Sequence, residues 1–301
     1  MRKLNYLLVI VAAVLMFITE TTFADKWIAK VNTVRVNGYD MAYVERGKGE
    51  PLILVHGALS DYRTWLPLMP ELSETNRTIA VSLRHYYPEK WQGEDNDLTI
   101  QQHADDLAEF IKALKVGPAN LLGHSRGAVV TMMVASKHPE LVSKLVLAEP
   151  EPLKTMLSSN PRAKKKLAER EAKMKEAVKH YQQGDPEGGL KLLVEYIAGP
   201  GSWDATSDTR RGTLRDNSWT QLSSVSDLET PFRCDNAGKI SSPILLIGGD
   251  RSEDIFVQMN SAVKSCVKKA NTAMIGDSGH FMYSNNPTAF VFEVQEFIAP
   301  Q

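Results

Sequence analysis

Short, unbroken apolar runs alternate with amphipathic stretches along most of this chain. The runs are Pro51 to Val55, Thr78 to Leu83, Ala119 to Leu122, Val142 to Ala148, Pro243 to Ile247 and Thr272 to Ile275. Each has the length of a strand and lacks a polar face at every second residue, which is the pattern of a strand covered on both sides. Helical patterns such as Ile100 to Leu114, Ala128 to Lys137 and Pro287 to Ala299 separate or follow them. Upstream, Lys30 to Val36 and Asp40 to Glu45 flank Asn37-Gly38, a two-residue hairpin signal, so the sheet should open antiparallel. Together these runs predict an α/β fold with a mostly parallel, eight-stranded, twisted sheet. Helices flank the sheet, and ligands bind at its C-terminal edge.

From Glu151 to about Ala237 the alternation stops and the chain becomes helical and Lys-rich, notably between Arg162 and Lys179. The expected division is a core of 25–150 and 238–301 with a helical cap of 151–237 that arches over the site and shapes its pocket. Lys164 to Lys166 read as a solvated helix face. Trp203, Trp219 and Met156 read as packing residues ahead of pocket residues. At the start, Arg2 and Lys3, the apolar core Leu7 to Ile18 and the exit Thr22-Phe23-Ala24 read as a signal peptide spanning 1–24 and cleaved near Ala24. The apolar core is shorter than the ~20 residues of a spanning helix, so an uncleaved anchor is the weaker reading. The expected location is therefore periplasmic or secreted. Cys234 and Cys266 are the only cysteines. In an oxidising compartment they could pair and stabilise the fold by about 3 kcal/mol, or remain buried thiols.

The chemistry concentrates at Gly123-His124-Ser125-Arg126-Gly127, between an apolar run and a helix. A sharp strand-to-helix turn leaves no room for Cβ atoms beside it and exposes the serine hydroxyl at its apex. The new helix points its amides at charge developing there. His56-Gly57-Ala58 ends the run Pro51 to Val55, so backbone N–H groups of Ala58 and Arg126 could form an oxyanion hole. His56 itself reads as a brace for that loop. Of seven histidines, three follow Ser125. His138 and His180 read as surface residues, whereas His280 follows Ser278-Gly279 in a loop after a strand and can act as general base. The carboxylate that fixes the imidazole is offered by two strand ends: Glu149, or the group Asp250, Glu253 and Asp254. Arg84 to Pro88 lie at the same edge and are expected to help wall the site, with His85 structural.

These segments resemble the α/β-hydrolase family over nearly all of the chain after residue 30. His56-Gly57 is similar to its oxyanion loop, Gly123 to Gly127 to its nucleophile elbow, and Ser278 to His280 to its histidine loop. Most members carry an Asp three residues after the Gly that corresponds to Gly249; here that position is Ser252. The resemblance therefore favours Glu149, which matches an alternative acid position used by some members, with Asp250 next.

The resemblance implies a serine hydrolase, and with the expected leader the reading is an exported enzyme cleaving a small carboxylic ester or lactone. Ser125 would be the nucleophile, His280 the base and Glu149 the acid, with no cofactor and no metal. A cofactor-free haloperoxidase-like perhydrolase and a C–C bond hydrolase would use the same triad. Dehalogenase and epoxide hydrolase readings fit less well, because those relatives use an Asp nucleophile. A non-catalytic binding protein on the same fold is the rival from outside enzymes. The net charge of −1 gives no reason to expect nucleic acid, so the expected partner is a small molecule.

Overall fold

A computed structural model describes residues 28–93 and 96–300. The expected leader lies outside the described residues. Eight strands form one sheet: β1 Asn32–Val36, β2 Tyr39–Arg46, β3 Glu50–Val55, β4 Asn76–Val81, β5 Ala119–His124, β6 Val142–Ala148, β7 Ile244–Gly249 and β8 Ala270–Ile275. Their order is β1-β2-β4-β3-β5-β6-β7-β8. β1 pairs antiparallel with β2 and β2 with β4, while all later pairings are parallel. Asn37 and Gly38 both take positive φ, 44° and 77°, as the tight turn expected between β1 and β2 requires.

Continuous apolar runs are needed because both faces are covered. In β3, Leu52 and Leu54 pack with the helix α7 Pro287–Ile298 on one face. Ile53 and Val55 pack on the other with α1 Ile100–Ala113, α2 Arg126–Lys137 and α6 Asp254–Cys266. Alternate side chains of one strand thus feed two separate layers of core.

Boundaries shift where backbone groups find other partners. β4 ends at Val81, short of the expected Leu83, because the Leu83 N–H donates to His56 Nε2 at 3.0 Å in place of a ladder carbonyl. β5 continues through His124, and α2 begins at Arg126, two residues before the expected Ala128.

Between β6 and β7 the described chain contains only helices and turns. The longer ones are α3 Pro161–Gln182, α4 Pro186–Ala198 and α5 Asp208–Asp216. α3 buries Ala163, Leu167, Arg170, Met174, Ala177 and Tyr181, a stripe at spacings of three and four that leaves Lys164 to Lys166 exposed. Trp203 is buried, and Met156 and Trp219 pack against the core, so all three are packing residues as expected. Cys234 and Cys266 are joined by a disulfide, their Cα atoms 5.1 Å apart, which ties the end of this insertion to the end of α6.

Candidate active site

Ser125 sits between β5 and α2 at φ 53°, ψ −118°. For a residue with a Cβ this is a costly conformation, tolerated only when the surroundings impose it. The glycines on either side make it possible. A Cβ on Gly123 would lie 2.5 Å from the Gly127 carbonyl oxygen, and one on Gly127 would lie 2.4 Å from those of His56 and Val55. Both strands and the helix can approach only because these positions carry no side chain.

His280 follows β8, as expected, and its Nδ1–H donates to Glu149 Oε2 at 2.8 Å. The other carboxylate oxygen, Oε1, accepts the Gly249 N–H at 3.0 Å. Glu149 directly follows β6, is fully buried and takes φ 44°, a second non-glycine residue in a strained backbone region. This arrangement makes Nδ1 the protonated nitrogen of His280 and leaves Nε2 as an acceptor. The ring is held flat against Phe256 of α6, with centroids 3.8 Å apart and planes 15° from parallel. The His124 Nε2–H donates to the His280 carbonyl at 2.8 Å. Full burial, helped by the neighbouring His280, keeps His124 well below the usual histidine pKa, so the brace stays neutral.

The alternative carboxylates lie elsewhere. Asp250 is exposed and accepts the Ser278 N–H at 2.9 Å, bracing the backbone of the histidine loop. Asp254 pairs with Arg162 at 2.9 Å, and burial raises the pKa of Glu253. Neither forms a hydrogen bond with His280 among the described residues.

Ser125, His280, Ala58 and Arg126 line one cavity of about 60 Å³. Arg126 is the first residue of α2, so its N–H has no carbonyl four residues back to bond. Its buried side chain pairs with Asp227, which lines the same cavity, and donates to Ser223 Oγ at 3.3 Å. His56 braces the opposite loop. Its Nδ1–H donates to the Gly57 carbonyl at 2.8 Å while Nε2 receives the Leu83 N–H, and burial pulls its pKa down to about 4.

One residue bonded to Ser125 is not among the sequence candidates. The Ser125 hydroxyl donates to Glu151 Oε2 at 3.2 Å, and Glu151 Oε1 accepts from Arg170 Nε and Nη2 at 3.1 and 2.7 Å. In the sequence Glu151 reads only as the boundary where the insertion starts. Its one signal there is an acid two residues beyond Glu149, and its partner Arg170 is nineteen positions away.

The expectation for Arg84 to Pro88 needs correction. None of them lines the cavity. Arg84 is drawn to Asp106 at 2.8 Å, His85 is held between Glu89 and Asp97 at 3.0 and 2.5 Å, and Tyr86 packs edge-on against His56. Ion pairs occupy Arg84 and His85 outside the cavity lining, which gives His85 a structural set of partners. Among the described residues, no group of three or more His, Cys, Asp or Glu side chains is placed to hold a metal ion.

The fold and a strained serine at a strand-to-helix turn define the class. The alpha/beta hydrolase fold model matches residues 50–287, and the chain belongs to that family. It is similar to (E)-2-((N-methylformamido)methylene)succinate hydrolase of Acinetobacter baylyi, 32% identical over 35% of this chain and 39% of that relative. It also resembles pyrrolizixenacetamide deacetylase of Xenorhabdus hominickii, 26% identical over 89% of this chain and 98% of the relative. Among solved structures it is similar to a thermophilic esterase from Thermogutta terrifontis. The TM-score is 0.71 at 19% identity, covering 90% of this chain and 98% of the other. Membership in a hydrolase family implies a small-molecule substrate. Among the described residues no helix is long and apolar enough to cross a membrane.

Proposed function

We propose that this chain is a serine hydrolase that cleaves a small carboxylic ester or lactone through an acyl-enzyme. The observation that carries this reading is the His280 Nδ1–H bond to buried Glu149, which commits the imidazole to the tautomer able to take a proton at Nε2. The Ser125 hydroxyl leaves Glu151 and gives its proton to Nε2 as Oγ attacks the substrate carbonyl. The carbonyl oxygen becomes an oxyanion, held by the N–H groups of Ala58 and Arg126 at about 3 kcal/mol per donor. Glu149 stabilises the imidazolium. His280 then returns the proton to the leaving group, and water repeats the sequence on the acyl-enzyme.

A second reading extends the substrate to amides with short acyl groups. It is supported by the deacetylase and the formamido-substrate hydrolase among the relatives. Perhydrolase and C–C bond hydrolase chemistry would use the same side chains. A matched series of acetyl esters, acetamides and β-diketones separates these readings.

The decisive test is substitution. Ser125→Ala and His280→Ala should each lower kcat on a p-nitrophenyl ester by on the order of 10⁶, because nucleophile and base act as a unit. Circular dichroism should be unchanged, and a fluorophosphonate probe should label wild type but not Ser125→Ala. Folded variants with strong residual activity would remove the triad, and wild type that resists the probe would favour a non-catalytic binding protein.

A further inference from the structure

Four arginines line the cavity at Ser125 or the larger cavity of about 510 Å³ beside it: Arg63, Arg126, Arg170 and Arg210. Three are neutralised. Arg63 pairs with Asp61 and Asp216 at 2.7 and 2.8 Å, Arg170 pairs with Glu151 at 2.7 Å, and Arg126 pairs with Asp227. Arg210 has no carboxylate partner among the described residues. Its side-chain hydrogen bonds to them run from Nη1 alone, to Ser60 Oγ at 3.0 Å and Thr64 Oγ1 at 3.3 Å. Both acceptors are neutral. They hold the guanidinium in place near the oxyanion loop, and its carbon lies 5.7 Å from the centroid of the Phe281 ring.

Position gives this charge its meaning. Arg210, Val194, Leu214 and Phe281 line both cavities, so the guanidinium stands where the two adjoin, beside three apolar side chains. A half-buried cation with no counter-ion is costly unless a ligand supplies one. The Nε–Nη2 edge, which donates to no group among the described residues, is the face of the fork that matches the two oxygens of a carboxylate.

The two cavities also divide the substrate. The cavity beside Ser125 is the tighter of the two, which favours a short acyl group there. With the acyl group held in the tighter cavity, the larger one beside it is the space left for the leaving group. Resting on the hydrolase reading above, we propose that Arg210 binds a carboxylate on the leaving-group side of the substrate, so that the preferred substrates are short-chain acyl derivatives of an anionic alcohol or amine.

The test compares 4-acetoxybenzoate with its neutral isostere 4-acetoxybenzamide, using wild type, Arg210→Gln and Arg210→Lys, with Ser125→Ala as background. A charge-assisted bidentate contact predicts that wild type prefers the carboxylate ester. It also predicts that Arg210→Gln shrinks that preference by about 10- to 100-fold, mainly through KM, with partial recovery in Arg210→Lys. Equal losses on both esters, or no preference in wild type, would overturn the proposal while leaving the hydrolase reading intact. Calorimetric binding of 4-hydroxybenzoate and 4-hydroxybenzamide to wild type and Arg210→Gln decides the matter without turnover. If neither ester is hydrolysed, the hydrolase reading fails, but tighter 4-hydroxybenzoate binding that is lost in Arg210→Gln still supports the anion site. Equal binding of the two ligands overturns it.

Discussion

Replacing Glu149 by Gln exchanges one oxygen for an NH₂ group in a buried side chain whose two oxygens are both in use. Oε1 of Glu149 accepts the Gly249 N–H and Oε2 accepts the His280 Nδ1–H. A glutamine has only one oxygen for these two donors. If that oxygen stays with the Gly249 N–H, which is fixed by the backbone, the amide nitrogen faces His280 and offers it a proton. The imidazole then escapes a donor–donor contact by moving its proton to Nε2. In that tautomer it presents N–H, not a lone pair, towards Ser125, and it has also lost the charge that stabilised its protonated form. A wrong tautomer at a triad histidine costs roughly 10⁴ in kcat, about 5 kcal/mol of transition-state stabilisation. Asp250→Asn is the control. Asp250 is exposed and accepts the Ser278 N–H through Oδ1; an asparagine oxygen accepts the same bond, so kcat should change by about twofold at most, as for ordinary surface changes. Stopped-flow kinetics on p-nitrophenyl acetate, with active sites counted by fluorophosphonate labelling, measures both. A larger kcat loss in Asp250→Asn, or more than a tenth of wild-type kcat in folded Glu149→Gln, would refute the assignment.

Acid should weaken the fold through its buried histidines. His56 is neutral and uses both ring nitrogens in the folded chain, its pKa depressed by burial to about 4, against ~6.5 unfolded. The unfolded chain therefore binds the extra proton first, and stability present above pH 6.5 is lost as pH falls towards 4. This amounts to about 2 kcal/mol at pH 5, with buried His103 and His124, also depressed, adding in the same direction. Urea midpoints at pH 7.5 and 5 should show the loss and His56→Gln should reduce its slope; equal midpoints in wild type would contradict it. We further propose export with cleavage near Ala24, a reading supported by the Cys234–Cys266 disulfide, since such bonds persist in oxidising compartments. Intact mass of the natively produced protein should give a mature chain beginning at Asp25; a retained Met1 in membrane fractions would favour an anchor.

What is legible in the sequence is what local pattern controls. Unbroken apolar runs announce strands covered on both faces, and Asn37-Gly38 announces the antiparallel opening, because each depends on residues close in sequence. The strand ends are less legible. β4 stops at Val81 because the Leu83 N–H turns to His56, twenty-seven positions earlier, and no feature of Thr78 to Leu83 records that partner. The turn at Ser125 is readable for a steric reason: Gly123 is required where the helix passes close to its own strand, and Gly127 where the helix start passes close to the end of β3.

The site shows the same division more sharply. Gly249, Glu149 and His280 lie on three different segments, joined only because β6 and β7 are neighbours in the sheet and β7 pairs with β8. Sequence order can nominate the histidine, but choosing the acid needs a comparison with other chains, since Glu149 and Asp250 both follow strands at the same edge. The two differ in burial: one carboxylate is sealed against an imidazole and a backbone amide, the other is open to solvent. Glu151 is invisible for the converse reason. Nothing about an acid at the start of a charged insertion distinguishes it from its many exposed neighbours, until Arg170 from the buried stripe of α3 neutralises it beside Ser125. The insertion thus reaches Ser125 through an ion pair, and through Arg210 it places a charge that lines both cavities. Contacts between the helical insertion and the sheet edge join residues far apart in sequence, Glu151 with Arg170 and Ser60 with Arg210, and these pairings leave Arg170 neutralised and Arg210 without a carboxylate partner among the described residues.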